Sequence, residues 1–333
     1  MRTGTVRCGT TDPLVVGAGV GGLTAAVALA AHGLSCTVVE RAPALAASGY
    51  GIQLPPNATR VLRELGVDLA PVSLRPEARE IRRWSDGALL GRIPLGDAAL
   101  ERYGAPYLTL RRADLLRGLF RNVRVHFGQT YAARTDSMLV VGADGLNSTV
   151  RGMLTDDAPV DVGYTAYRAV VKAAAPPVVT VWLGPGAHAV AYPVPGGLNL
   201  VAVTATGLEA FHGWHAPVRD LVKQAGRGFA LRTRPPLPAW HRDGVVVIGD
   251  AAHPMPPFLA QGAAQAIEDA AALPEHLDDL AAFEALRRPR AERVAAAGAA
   301  GGTDYHLPDG PGQRQRDERI AASALPDQDW LFT

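Results

Sequence analysis

Along the chain, apolar positions fall into short unbroken runs separated by glycine-rich turns and Ala/Leu-rich stretches of helical period, the pattern of buried parallel strands alternating with helices. Leu14 to Val16 read as a strand that runs into Gly17-Ala18-Gly19-Val20-Gly21-Gly22 and then a helix ending near Gly33. Cys36 to Val39 form the next strand. Gly51 to Leu54 read as extended and Asn57 to Leu65 as a helix, with helices or strands following at Leu115 to Phe120, Val123 to Phe127 and Met138 to Val141. The pattern then changes. Gly163 to Thr204 alternates β-branched and aromatic positions with glycine breaks at Gly184 to Gly186 and Gly196-Gly197, the sign of an antiparallel meander without helices. Ile81 to Trp84 and its neighbours belong with that sheet. Pro217 to Gln224 predicts a short helix, and Pro235, Pro236 and Pro238 mark the return to the first pattern at Val245 to Ile248. The final helix spans about Leu280 to Ala300, interrupted at Pro289, and a polar tail begins at Gly301.

These elements predict an α/β protein: a Rossmann-like dinucleotide domain interlocked with an antiparallel β-sheet substrate domain, followed by a C-terminal helix. The expected divisions are 1–78, 107–158 and 240–302 for the discontinuous nucleotide domain, 79–106 and 159–239 for the substrate domain, and 303–333 for the tail. The 333 residues, 48% apolar and 20% charged, suffice for such a pair of cores. A formal net charge of +1 argues against nucleic acid or an anionic membrane as the main partner. Cys8 and Cys36 make no disulfide framework or metal spacing, and no apolar run reaches the length of a membrane span or secretion signal. The expectation is a cytoplasmic protein, monomer or homodimer, with a small ligand and no metal.

The chemistry starts at the first turn. Gly17-x-Gly19-x-x-Gly22 stands in the required strand-turn-helix context: Gly17 for the tight turn, Gly19 for the approach of a pyrophosphate, Gly22 for helix-on-strand packing. Glu40, at the end of the second strand, stands near the spacing of about 20 residues at which an acid takes adenosine ribose hydroxyls. In residues 249–270, GDAAHPMPPFLAQGAAQAIEDA, a buried strand delivers Asp250 to a sheet edge, prolines break the chain, and a helix opens at Gly262-Ala263. Asp250 suits a hydroxyl, and the free N–H groups at Gly262 and Ala263 suit an electron-rich ring edge. Asp144, in a strand-end Asp-Gly turn, reads by itself as structural, and His253 as a support for its loop.

Three separated motifs, GAGVGG with Glu40, GADGLNSTVR and GDAAHPMPPF-AQGA, resemble the single-component FAD-dependent aromatic hydroxylases of the para-hydroxybenzoate hydroxylase fold. GIQLPPNATRVL, YRAVV, GPGAHAVAYPV, the region Phe211 to Val222 and YHLPDG resemble more narrowly the salicylate and 6-hydroxynicotinate hydroxylase branch. The resemblance implies FAD, held by Gly17, Gly19, Gly22, Glu40, Arg41, Arg112, Asp144, Asp250, Gly262 and Ala263, with Asp144 and Arg151 in a motif that also meets the nicotinamide nucleotide. It implies NAD(P)H as transient co-substrate, O₂, and a phenolic acid or hydroxypyridine carboxylate hydroxylated through a flavin C4a-hydroperoxide. His188 and Tyr192 match a pair that helps ionise the phenol. Val190, Gln53, Pro256, Pro257 and Phe258 then wall the substrate.

This chain departs from that family in being shorter between Gly128 and Met138 and between Val203 and Phe211, and in carrying Tyr50 where a small residue is usual. A flavoprotein of the same fold that binds FAD but is uncoupled or inactive because of these deletions, or an epoxidase, therefore stands beside the hydroxylase reading.

Overall fold

The structure is a computed structural model that describes residues 12–45, 49–131, 139–173, 176–322 and 329–333. Cys8, Met138 and most of the shortened 129–137 segment lie outside the described residues. Three sheets organise the rest.

The first sheet has the strand order His241–Arg242, Val245–Val247, Val140–Gly142, Leu14–Val16, Thr37–Glu40, Val125–Phe127, parallel except for its short first strand. Leu14–Val16, Val140–Gly142 and Val245–Val247 are buried at every position, which is why their sequences show continuous apolar runs and not alternation. Because the strands run parallel, their carboxyl ends meet at one edge. Backbone bonds lock that edge: Gly17 N–H donates to Val39 O at 2.8 Å, Ala143 N–H to Val16 O at 2.9 Å and Ile248 N–H to Gly142 O at 2.9 Å. The helices Val20–Ala31 and Gly262–Ala272 pack on each other through small residues, with Gly21 facing Ala266.

The second sheet has seven strands: Gly228–Thr233, Val160–Val171, Gly197–Thr204, Ala187–Val194, Val178–Gly184, Ala78–Arg83 and Leu89–Pro94. It departs from the antiparallel expectation at one pair, since Val178–Gly184 runs parallel to Ala78–Arg83. These two strands lie far apart in sequence, so no hairpin dictates their sense. Period-2 alternation puts Arg168, Val201 and Val190 in one cross-strand row, and places Asn199 opposite Tyr192 and Val203 opposite His188. A small third sheet, Gly51–Leu54, Leu108–Arg111 and Ser73–Leu74, lies against the second-sheet strand Ala187–Val194.

Two expectations fail near the C-terminus. Pro289 does not interrupt the last long helix, which continues from Leu280 to Tyr305. Pro289 and Ala285, whose carbonyl the proline leaves unpaired, both lie on the exposed face, which leaves that carbonyl open to solvent. Nor are residues after 303 simply a polar tail. Pro311–Ala322 is a helix with Ile320 against Gly91, and Asp329–Phe332 buries Leu331 and Phe332 in the second core. Among the described residues, no helix is long and apolar enough to cross a membrane.

Candidate active site

At the first turn each glycine has a separate reason. Gly17 adopts φ +104°, and a Cβ there would stand 2.5 Å from Ala143 O. A Cβ on Gly22 would meet Gly17 O at 1.9 Å, so helix and turn touch only without a side chain. Gly19 has no atom within 4 Å of its Cβ position, so it opens on free space at the start of a helix that has neither an acidic residue nor a side-chain cap of its own. An open, uncapped helix start of this kind suits a phosphate. Glu40 accepts Ala18 N–H and Ala42 N–H, each at 2.8 Å, which fixes its carboxylate at the rim, and Arg41 beside it is exposed.

From Gly19 and Gly21 a cleft of about 430 Å³ runs past Arg112, Ala143 and Gly145 to Asp250, Gly262 and Ala263, then up a wall of Gln53, His188, Val190 and Tyr192 with Pro257 and Met255 across it. No side-chain hydrogen bond among the described residues engages the Arg112 guanidinium. Burial and the neighbouring Arg168 charge depress its pKa, against the opposing pull of Asp250. Asp250 is exposed to the cleft, yet the enclosing protein pushes its carboxyl above the usual range, countered by His253 and Arg112. Burial also raises the Tyr192 phenol, with Arg168 pulling the other way, so Tyr192 stays a neutral hydroxyl. Gln53 Oε1 accepts the Tyr107 hydroxyl at 2.8 Å, and that hydroxyl accepts from Arg79 at 2.8 Å, which leaves the Gln53 NH₂ as its unused end. Tyr50, the departure noted in the sequence, packs edge-on against Phe229 at 6.2 Å and lies under the Arg168 guanidinium at 5.9 Å.

The proline segment divides. Pro257–Leu259 is a 3₁₀ turn, in which successive side chains point about a third of a turn apart. Pro257 therefore lines the main cleft, whereas Pro256 and Phe258 line an adjoining cavity of about 400 Å³ with Tyr164, Trp240 and Thr233. The Phe258 ring lies 5.4 Å from that of His188 and packs behind it. The turn ends on Ala260 at φ +55°, a backbone state uncommon for alanine.

Other residues hold this frame from behind. Asp269, fully buried, accepts Gly249 N–H at 3.0 Å, contacts His253 Nε2 at 2.6 Å and accepts Arg287 Nε at 2.8 Å. Burial opposes its ionisation, but His253 and Arg287 together bring its pKa down to about 2. His253 thus braces the loop. Arg151 is buried and donates to Ala251 O at 3.0 Å and Ala252 O at 2.9 Å while pairing with Asp157. Its guanidinium is committed to these protein groups. Asp144 accepts from Thr149 N–H at 2.6 Å, Val150 N–H at 3.2 Å and the Ser148 hydroxyl, capping its own turn, while the adjacent Ala143 and Gly145 line the cleft. Asp269 had a signal in the sequence: it sits three residues after Ala266 and four before Leu273, on the apolar face of an Ala-rich helix. Arg287 had the same kind of signal, four residues after Phe283 and four before Ala291, and His306 had none.

A glycine-rich phosphate turn with an acid at its rim, an unpaired arginine, a carboxylate and a helix start arranged along one cleft define a dinucleotide-binding redox protein, and these groups fit FAD. Residues 12–174 and 231–293 match family descriptions that each read "FAD binding domain". The 3-amino-4-hydroxybenzoate 2-monooxygenase of Streptomyces cremeus is 40% identical over 96% of this chain and 94% of its own length. The 6-hydroxynicotinate 3-monooxygenase of Pseudomonas fluorescens is 35% identical over 84% of this chain and 88% of its own. In fold, a salicylate hydroxylase substrate complex matches with TM-score 0.77 and 22% identity over 96% of this chain and 95% of that one. Klebsiella pneumoniae HpxO complexed with FAD and uric acid matches with TM-score 0.83 and 22% identity over 97% and 95%. The chain belongs to the FAD-dependent aromatic monooxygenases.

Proposed function

We propose that this protein hydroxylates a small aromatic acid carrying a ring hydroxyl, a hydroxybenzoate or hydroxypyridine carboxylate, with NAD(P)H as reductant and O₂ as oxygen source. One observation carries the substrate class. On the cleft face of the second sheet, His188, Tyr192 and Arg168 are polar groups set among Val190, Val201, Val203 and Leu231. A flat apolar ring with one or two oxygen substituents complements that wall. The relatives named for an aminohydroxybenzoate and for 6-hydroxynicotinate support the same class.

In this reading Gly17, Gly19 and Gly22 take the pyrophosphate, with Glu40 and Arg41 on the adenosine side and Arg112 on the diphosphate. Asp250 takes the ribityl hydroxyls, Gly262 and Ala263 direct N–H groups at the flavin ring edge, and Asp144 shapes the turn beside it. FAD supplies the activation of O₂. The protein's part is to hold the ring hydroxyl against His188 and Tyr192, to keep the ring between Val190 and Pro257 with Gln53 at its rim, and to close the outer side with Pro256 and Phe258. Excluding water there strengthens every polar contact to the ring. The nucleotide and substrate parts follow the division of the chain given above. Cytoplasmic residence accords with Cys36 as an unpaired thiol, and a monomer or homodimer is the assembly that light scattering would check.

The test is a screen of salicylate, 3- and 4-hydroxybenzoate, 3-amino-4-hydroxybenzoate and 6-hydroxynicotinate on FAD-loaded protein, following both NAD(P)H consumption and hydroxylated product. Substrate-stimulated consumption with stoichiometric product is expected. Consumption that yields only peroxide would make the chain an uncoupled oxidase, and no consumption with any acid would refute the reading.

A further inference from the structure

Behind the cleft wall lies a pair of rings that the FAD motifs do not involve. His306, just past the helix Leu280–Tyr305, reaches the turn between strands Val178–Gly184 and Ala187–Val194. Its carbonyl accepts Gly186 N–H at 3.1 Å, and its Nε2 lies 2.7 Å from His188 Nδ1. The ring centroids are 5.0 Å apart at 29°, a spacing at which this nitrogen contact joins two rings edge to edge in nearly one plane. Tyr164, Tyr305 and Phe258 enclose the pair. The residues are 3% and 7% exposed, and among the described residues neither ring has a carboxylate partner. Burial, and then His306, hold His188 well below the usual histidine range, and burial holds His306 down to about 4. Both rings are neutral at pH 7.

Two neutral imidazoles share one hydrogen across that contact, and the outer nitrogens decide which donates. His306 Nδ1 is buried with no partner. A buried N–H without an acceptor is rarer in proteins than a lone pair without a donor, so Nδ1 carries the lone pair and His306 holds its proton on Nε2. His188 Nδ1 must then accept, and the His188 proton lies on Nε2. That atom has no protein partner among the described residues and is not sealed from the cleft that His188 lines. We infer that His306 is a positioning residue that fixes His188 as its Nε2–H tautomer, a neutral hydrogen-bond donor to an anionic oxygen of the aromatic substrate. This rests on the site proposed above and refines it: His188 does not take the phenol proton, which passes to solvent as the ring enters the cleft, and the substrate oxyanion binds against the His188 N–H. A neutral ring suits the substrate-free protein, because an imidazolium buried beside His306 would have no carboxylate partner there among the described residues.

The first readout is independent of turnover. In FAD-loaded protein labelled with ¹⁵N-histidine, at pH 8 and without substrate, His188 is expected to show a protonated Nε2 and a bare Nδ1; a protonated Nδ1 would overturn the inference. The second readout uses paired variants and the best acid from the screen. His306→Gln supplies an N–H donor in place of Nε2 and should keep the tautomer and kcat/KM. His306→Glu supplies an acceptor and should move the His188 proton to Nδ1, lowering kcat/KM roughly tenfold to a hundredfold through the lost bond to a charged oxygen. Equal kcat/KM in the two variants, or a Gln variant as impaired as the Glu variant, would refute it. His188→Ala separates the two levels. If it leaves kcat and KM unchanged, the site reading fails, while the isotope experiment still reports on the pair.

Discussion

Asp269 touches no part of the cleft, yet it is where the site should be most easily broken. Replacing it with asparagine keeps the volume and removes the charge. Three groups then lose their acceptor or have it weakened: the Gly249 N–H, His253 Nε2 and Arg287 Nε. Arg287 retains Glu268 at 2.7 Å, so one guanidinium edge stays paired. Breaking a buried ion pair from one side costs about 3–5 kcal/mol. Against a total stability of roughly 5–15 kcal/mol, that is a large part of the whole. In a chain of 333 residues it corresponds to a fall in Tm of roughly 4–7 °C. Because Gly249 is the residue before Asp250, FAD affinity should fall as well, measurable by quenching of flavin fluorescence.

The same carboxylate supplies an acid test. Its pKa falls from 3.8 to about 2 on folding, so its contribution is complete above the unfolded value and is lost as pH drops through about 2. The shift is worth about 2 kcal/mol. The gap in stability between wild type and Asp269→Asn should therefore be widest at neutral pH and narrow below pH 4. A variant that melts within about 1 °C of wild type, a change of well under 1 kcal/mol, and binds FAD equally well would refute the assignment of Asp269 as the anchor of the 249–258 loop.

Further perturbations separate scaffold from site. Gly19→Ala should melt like wild type, because its Cβ meets nothing, but should lose FAD binding by blocking the phosphate approach; Gly22→Ala, with a Cβ 1.9 Å from Gly17 O, should lose both stability and flavin. Denaturant titrations of His306→Gln and wild type should diverge in acid. A histidine whose pKa drops to about 4 on folding favours the folded state above the unfolded value near 6.5 and costs stability as pH falls from there toward 4, about 3 kcal/mol by linkage. Wild type should lose more stability in acid than the glutamine variant by about that amount, the contribution of His188 being common to both. Deleting residues 329–333 removes buried Leu331 and Phe332 and the Trp330 ring under Arg293, at 4.0 Å, and should cost roughly 3–6 kcal/mol, read by thermal melting.

How far each feature could be read from sequence follows from how local its cause is. The turn Gly17 to Gly22 and the helix start at Gly262 were legible because backbone geometry demands glycine or breaks at fixed spacing. Strands such as Val245–Val247 were legible because burial on both faces leaves an unbroken apolar run. Pro289 misled because a helix tolerates proline when the orphaned carbonyl faces water, and that face is known only once the helix has docked. The sense of the pair Ala78–Arg83 and Val178–Gly184 was hidden by the long connection between them. Asp269 with Arg287, Arg151 with the carbonyls of Ala251 and Ala252, and His306 with His188 are pairings across the fold. Each residue alone reads as an ordinary charge or imidazole, and only contact gives it a role.

Those pairings also separate what the fold needs from what a ligand needs. Behind the 249–258 loop, buried charges are engaged: Asp269 has its three donors, Arg151 has Asp157 and two carbonyls, and Glu268 has Arg287 and Arg290. In front of the loop the pattern reverses. Arg112 has no side-chain partner among the described residues, Arg168 Nε is buried without an acceptor, and the Gly262–Ala272 helix starts without a side-chain cap. Of these, Arg168 Nε is the buried one, and a buried donor left unsatisfied costs about 1–3 kcal/mol, while Arg112 and the helix start are open to the cleft. All of these are donors and they converge on one cleft, so what completes them must be rich in acceptors and anionic along much of its length. A diphosphate followed by a flavin ring edge has that distribution of charge, and an aromatic oxyanion held at His188 and Tyr192 extends it.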